Sequence, residues 1–250
     1  MAAFLTLTRR ELSGYFFSMR GYVIIAGVQL LVGASLLIVL DALNEKPFDM
    51  PLTEKLPNSG FFWLVLLLMA PVITMRTYAH EKSTGTFETL LATPVSDRAV
   101  VLAKFAGAWL FYLLAWAPAA TLPFLLSRYV DGLGPVDTGP LASLALGVGV
   151  IGAFFMAVGC FASALTRSQI IAAMTSFAIG TGVFLIGLLA VYRPPQLGWK
   201  TDLFAHISMV EHMGDFASGI VDSRHLVFYI SLTLVFLFLT EQVLASRRWK

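Results

Sequence analysis

The side chains able to do chemistry in this 250-residue sequence are few, and they are badly spaced for it. Four histidines occur, His80, His206, His212 and His225. None forms a His-Glu-x-x-His pattern or pairs with a serine inside an apolar run, as a metal- or nucleophile-based intramembrane enzyme would require. His206, Glu211, His212 and Asp215 crowd one stretch, but their spacing fits no metal-ligand set, and no metal site is expected. The single cysteine, Cys160, falls in an apolar segment and reads as a small buried hydrophobe. Gly147-Val148-Gly149-Val150-Ile151-Gly152 matches a dinucleotide fingerprint by letter, yet no strand precedes it and no acidic residue follows at the needed distance. Close helix contacts account for those glycines, as they do for Ala153 with Ala157 and Gly159 with Ser163. No Gly-x-x-x-x-Gly-Lys-Ser/Thr loop occurs, so the chain is expected neither to hydrolyse ATP nor to be an enzyme, and it is expected to hold no cofactor.

What surrounds these residues is apolar. At 58% hydrophobic and 13% charged, with a mean hydropathy of +0.80, the chain lacks the polar surface needed to clothe a soluble globule. A helix rises 1.5 Å per residue and about 30 Å of hydrocarbon must be crossed, so each span needs about 20 residues. Six runs meet that length, near 21–40, 61–78, 101–126, 141–165, 170–191 and 226–244. The expectation is one all-α membrane domain over 1–250, with no nucleic-acid partner because the net charge is only +2. Pro118 and Pro123 should kink the third span. Trp109, Tyr112 and Trp116 lie deeper than an interfacial aromatic belt.

Cations set the orientation. With the N-terminus inside, eleven Lys and Arg residues lie on inner segments and six on outer ones, which favours both termini in the cytoplasm. An alternative, an ion- or proton-driven secondary transporter or channel, would place ionisable groups near mid-membrane. Glu241 is the acid inside a run, and it sits in the last turn.

Three segments escape the six-span description. Over residues 1–20, Leu5, Leu12, Tyr15, Phe16 and Met19 share a helical face beside Arg9 and Arg10, which predicts an interfacial helix. In the inner loop 81–94, Gly85 is expected to cap a two-turn helix that Pro94 stops, with Phe87, Leu90 and Leu91 making a small exposed apolar knob for a partner protein. In the outer loop 193–224, Pro194-Pro195 breaks the fifth helix. Asp202 is expected to cap a further helix with Leu203, Phe204, Ile207 and Val210 on one side, lying in the interface or dipping back into the bundle with 209–220.

The inner loop resembles that of the ABC-2 type permeases, the membrane subunits of one class of ABC transporters. Their Glu-x-x-x-Gly-Thr-x-Glu-x-Leu-Leu-x-x-Pro pattern is matched by Glu81, Gly85, Thr86, Glu88, Leu90, Leu91 and Pro94. The likeness extends to Arg10-Glu11-Leu12 and to His212, Phe216, Gly219 and Asp222, much as in the gliding-motility and nitrous-oxide-reductase-maturation types, although Met19 and Ala103 stand where many relatives carry proline and glycine. The resemblance implies a permease of the bacterial cytoplasmic membrane that dimerises with a second copy or a related permease. It further implies that the loop, Phe87 included, docks a separate cytoplasmic ATPase carrying the ATP and Mg, for export or for work on an extracytoplasmic accessory protein. The outer element, with Phe204, Ile207 and Val210, would be a gate or partner platform. Membrane lipid is the remaining partner, and the transported substrate is not legible in the sequence.

Overall fold

The structure is a computed structural model that describes residues 2–44, 52–87, 95–129, 137–192 and 206–247. Among these residues there is no strand, and six helices are long and apolar enough to cross a membrane: Met19–Asp41, Gly60–Thr84, Asp97–Tyr129, Thr138–Leu165, Gln169–Leu188 and Ser223–Ser246. In chain order the helices are α1 (Ala2–Phe16), α2 (Met19–Asn44), α3 (Leu52–Lys55), α4 (Gly60–Thr74), α5 (Ala79–Thr84), α6 (Asp97–Trp116), α7 (Leu122–Tyr129), α8 (Thr138–Leu165), α9 (Gln169–Tyr192), α10 (Met209–Ala217) and α11 (Ser223–Arg247). Several starts are written in single residues. Ser59, Ser96, Asp137 and Ser208 accept backbone N–H bonds at the first turns of α4, α6, α8 and α10.

The third span breaks where its prolines predict. Pro118 supplies no N–H, the backbone tightens into a 3-10 turn over Ala117–Thr121, and Gln29 of α2 donates to the Ala115 carbonyl at 2.8 Å. An apolar cavity opens beside this break, lined by Val32, Leu36, Trp116, Leu122 and Leu144 among others.

α8 is the most enclosed of the six spans, and its glycines explain why. Gly152 receives the Tyr112 ring, Gly159 receives Thr74, and Gly147 receives Phe216 so closely that a Cβ there would lie 2.6 Å from the ring. The apparent dinucleotide motif is thus a row of notches that admit side chains from α6 and α10, and Gly159 beyond it admits one from α4. Trp109 and Tyr112 add hydrogen bonds to the α8 carbonyls of Gly149 and Val148, both at 2.9 Å.

At the end opposite α1 lies the described part of the connection between α9 and α11. The helix anticipated after Asp202 falls mostly outside the described residues, as does Phe204. The helix that is described starts at the Ser208 cap, and its buried face is Met209, His212, Met213 and Phe216. Ile207 and Val210 are half-buried. The register follows from where the cap sits: Ser208 directs every third and fourth residue after Met209 toward α8, and Phe216 drops into the Gly147 notch.

Filling that notch should displace α10. Gly147→Val is expected to cost about 1–3 kcal/mol of stability through overpacking, measurable as a lowered thermal midpoint in detergent. Phe216→Ala in the same chain should restore part of the loss. An unchanged midpoint for the single variant would mean that α10 is not seated there.

Candidate functional site

At the end of the bundle that carries α1, charge is buried. Lys104 lies in the second turn of α6 and is 3% exposed. Its ammonium has three donors, and the structure offers three acceptors: Glu11 Oε1 at 3.0 Å, Glu81 Oε1 at 2.8 Å and the Thr77 carbonyl at 3.0 Å. The exposed Arg10 joins from outside, its Nη2 at 3.1 Å from Glu11 and 3.3 Å from Glu81. Two carboxylates thus meet two cations, so the cluster carries no net charge into the bundle. The ammonium also lies 5.4 Å from the centre of the Tyr78 ring.

Each member is positioned by a neighbour. α1 can approach α6 because Gly107 has no side chain; a Cβ there would lie 2.7 Å from the Glu11 Cβ. Tyr15 stacks on Phe111 with ring centres 4.4 Å apart and donates to the Ile73 carbonyl at 3.2 Å. Burial, then the neighbouring Cys160 and Glu11, push the Tyr15 hydroxyl well above its ordinary range, so it keeps the proton it donates. The packed face of α1 includes Thr8, Leu12, Tyr15 and Phe16. Leu5 and Met19 are exposed; the helix ends at Phe16, so Met19 opens α2 and leaves that face.

Glu81 is set by the elbow between α4 and α5. Ser163 of α8 accepts from the Tyr78 and Ala79 N–H groups, both at 3.1 Å, and donates to the Met75 carbonyl at 3.2 Å. Lys82 donates to the Ala164 carbonyl and lies 5.3 Å from the centre of the Phe87 ring. His80 lies between Arg76 and Gln169, at 3.3 and 3.2 Å. Arg98 and Glu241 tie α6 to α11 at 2.8 Å.

One expectation about the loop changes. Gly85 terminates α5 with a left-handed φ of 77°, where glycine is favoured, and Thr86 and Phe87 resume helical geometry directly after it. Phe87, expected on an exposed knob, is 4% exposed and packs with Tyr78, Val101, Ala164, Leu237 and Leu244. Its partners come from α6, α8, α11 and the elbow, which no local periodicity reveals. Thr86 is exposed, its hydroxyl 2.9 Å from that of Thr84. Glu88, Leu90, Leu91 and Pro94 lie outside the described residues.

Of the expected loop residues, then, the structure brings Glu81 into the ion cluster and Phe87 into the core beside it. Ile207 and Val210 sit at the far end. Sequence reasoning missed Glu11 and Lys104 as partners. The signal was present: Lys104 is an ammonium inside an apolar run, and such a charge needs a named partner.

The far end holds a smaller polar group. His212 Nδ1 is 2.9 Å from the Tyr229 hydroxyl, His225 Nε2 is 2.9 Å from Asp215, and the two imidazoles lie 3.9 Å apart. Among the described residues no three His, Cys, Asp or Glu side chains are grouped to hold a metal. Burial, then His225 and His206 nearby, push His212 down to about 4. Burial, then Asp215, pushes the Glu211 carboxyl up.

A family model described as ABC-2 family transporter protein matches residues 13–249 of the chain. Among curated proteins, none matches it.

Removing the buried ammonium leaves two carboxylates facing each other. Lys104→Met is therefore expected to destabilise the chain by about 3–5 kcal/mol, read by thermal unfolding in detergent. Adding Glu11→Gln and Glu81→Gln should recover most of it. Equal stability of wild type and Lys104→Met would dismiss the cluster as a structural centre.

His212 gives a pH dependence. Its pKa is lower in the fold than its ordinary 6.5, so the unfolded segment binds more protons between pH 6.5 and about 4. Docking of α10 should be fully stable above that window and weaken as pH falls through it, with Glu211 offsetting part of the loss because its shift has the opposite sign. Amide protection factors across 209–217, corrected for the intrinsic pH dependence of exchange, should fall accordingly, and His212→Gln should flatten the profile.

Proposed function

Because the chain belongs to the ABC-2 family of transporter proteins, and is thereby a multi-pass permease subunit of an ABC transporter with a separate ATPase partner, we propose that ATP hydrolysis reaches the bundle through the loop after Gly85. Glu88, Leu90, Leu91 and Pro94 would meet the ATPase, which carries the ATP and Mg. Phe87 and Lys82 would fasten the root of the loop. The permease itself performs no catalysis in this reading.

The observation that carries the proposal is the place of Glu81. It stands one turn before Gly85 and is ion-paired to α6 through Lys104, which also holds Glu11 of α1. Short charge-assisted bonds in a desolvated site resist bending, so a displacement of the loop would move α1 and α6 with it. Lys104 spends all three donors on protein acceptors near one end of its span, which suits a strut better than an ion pathway.

The wider assignment has both termini in the cytoplasm of a bacterium, supported by the excess of cations on that side. The permease works with a second copy or a related permease, for export or for work on an extracytoplasmic accessory protein. The segment around Phe204, Ile207 and Val210 serves as outer gate or platform, supported by the seating of α10 against α8.

In the purified permease–ATPase complex, Leu90→Ala with Leu91→Ala is expected to weaken ATPase binding by about 2 kcal/mol, roughly 30-fold. Glu81→Gln should leave that affinity near wild type and depress the stimulation of ATP turnover by the assembled permease. Wild-type affinity in the double variant would refute the docking loop; undiminished stimulation in Glu81→Gln would refute the route.

A further inference from the structure

A crevice lies between the break separating α1 from α2 and the elbow separating α4 from α5, and it holds charge that the Lys104 cluster does not use. Arg20, Met19 and Val23 form one wall, and Val72, Arg76 and His80 the other. Glu11 and Glu81 also reach it, but Lys104 and Arg10 already neutralise them. That leaves Arg20 and Arg76, two cations lining the same crevice. Among the described residues neither makes an ion pair with a carboxylate. Arg76 contacts the His80 imidazole, and its Nε is buried without a partner.

Two like charges at the edge of a low-dielectric bundle are unfavourable unless an anion lies between them. A guanidinium pair suits a phosphate group, which takes parallel N–H bonds from each fork. The walls decide its source. Met19 is 84% exposed and Val23 63% exposed, and with Val72 they extend an apolar surface directly from the two arginines along membrane-spanning helices. A free phosphate would leave that surface unused, whereas a lipid would cover it with its chains.

We propose that the crevice between Arg20 and Arg76 is a binding site for an anionic phospholipid, its phosphate held by the two guanidinium groups and its acyl chains lying along Met19, Val23 and Val72. The site straddles the joint where α1 leaves α2 and the elbow that presents Glu81. It is independent of the ATPase reading: a lipid could be retained whether or not the loop docks a partner.

The purified full chain in detergent, titrated with phosphatidylglycerol, phosphatidylcholine and sn-glycerol 3-phosphate and read by native mass spectrometry, tests this. Wild type should retain phosphatidylglycerol at about tenfold lower concentration than phosphatidylcholine. Arg20→Gln with Arg76→Gln should abolish the preference, and Arg20→Lys with Arg76→Lys should keep most of it. Arg20 is exposed, so Arg20→Gln alone supplies the same comparison if the double variant does not fold. Equal retention of the two lipids by wild type, or an undiminished preference in the glutamine variants, overturns the site. Displacement of phosphatidylglycerol by glycerol phosphate at matching concentration overturns the lipid assignment and makes the ligand a soluble phosphate.

Discussion

Hydrocarbon offers no partner to a backbone carbonyl, and the stretch from Ile73 to Ala79 shows what that constraint demands. There α4 ends and the chain turns before α5 begins, leaving carbonyls without helical partners. The Ile73 carbonyl accepts from Tyr15 of α1, Met75 from Ser163 of α8, and Thr77 from Lys104 of α6. Three separate helices are thereby drawn to one elbow. Once Lys104 is committed to Thr77 its charge needs carboxylates, and Glu11 and Glu81 are the groups within reach. The ion cluster, the docking of α1 and the anchoring of the Glu81 loop all descend from the satisfaction of one turn.

The same accounting explains the centre of the bundle. α8 combines glycine notches with carbonyls that accept from Trp109 and Tyr112, so it can be approached closely on several sides without losing a hydrogen bond. Large side chains enter from the neighbours and small ones receive them. The packing is asymmetric for that reason, with α8 enclosed and α2, α9 and α11 mostly left uncovered by the rest of the chain.

The six spans were legible in the sequence because hydropathy over about 20 residues is a local sum, and local sums survive without knowledge of neighbours. The 3-10 break at Pro118 was legible for a similar reason, since a missing N–H is a property of one residue. The ion cluster was not. Glu11, Glu81 and Lys104 are far apart in the chain, and counting Lys104 as a marker of orientation hid its need for partners. Phe87 was misplaced because a short apolar face says nothing about which long-range neighbours cover it. The helix Met209–Ala217 was not legible as a separate element, because its start rests on the Ser208 cap and its seat on the notch at Gly147, a long-range contact.

The pairing of α1 with α6 also orders events in time. Glu11 and Lys104 are separated by 93 residues of chain, and Arg10 and Glu81 by 71. At about 5–20 residues per second of synthesis, the first helix is complete on the order of several seconds before its ammonium partner has been made. During that interval its carboxylate has only the adjacent arginine, and the helix lacks the surface of α6 against which most of it closes. α1 is therefore made well before it is locked, and the third span acts as the clasp that ends the assembly of this end of the molecule.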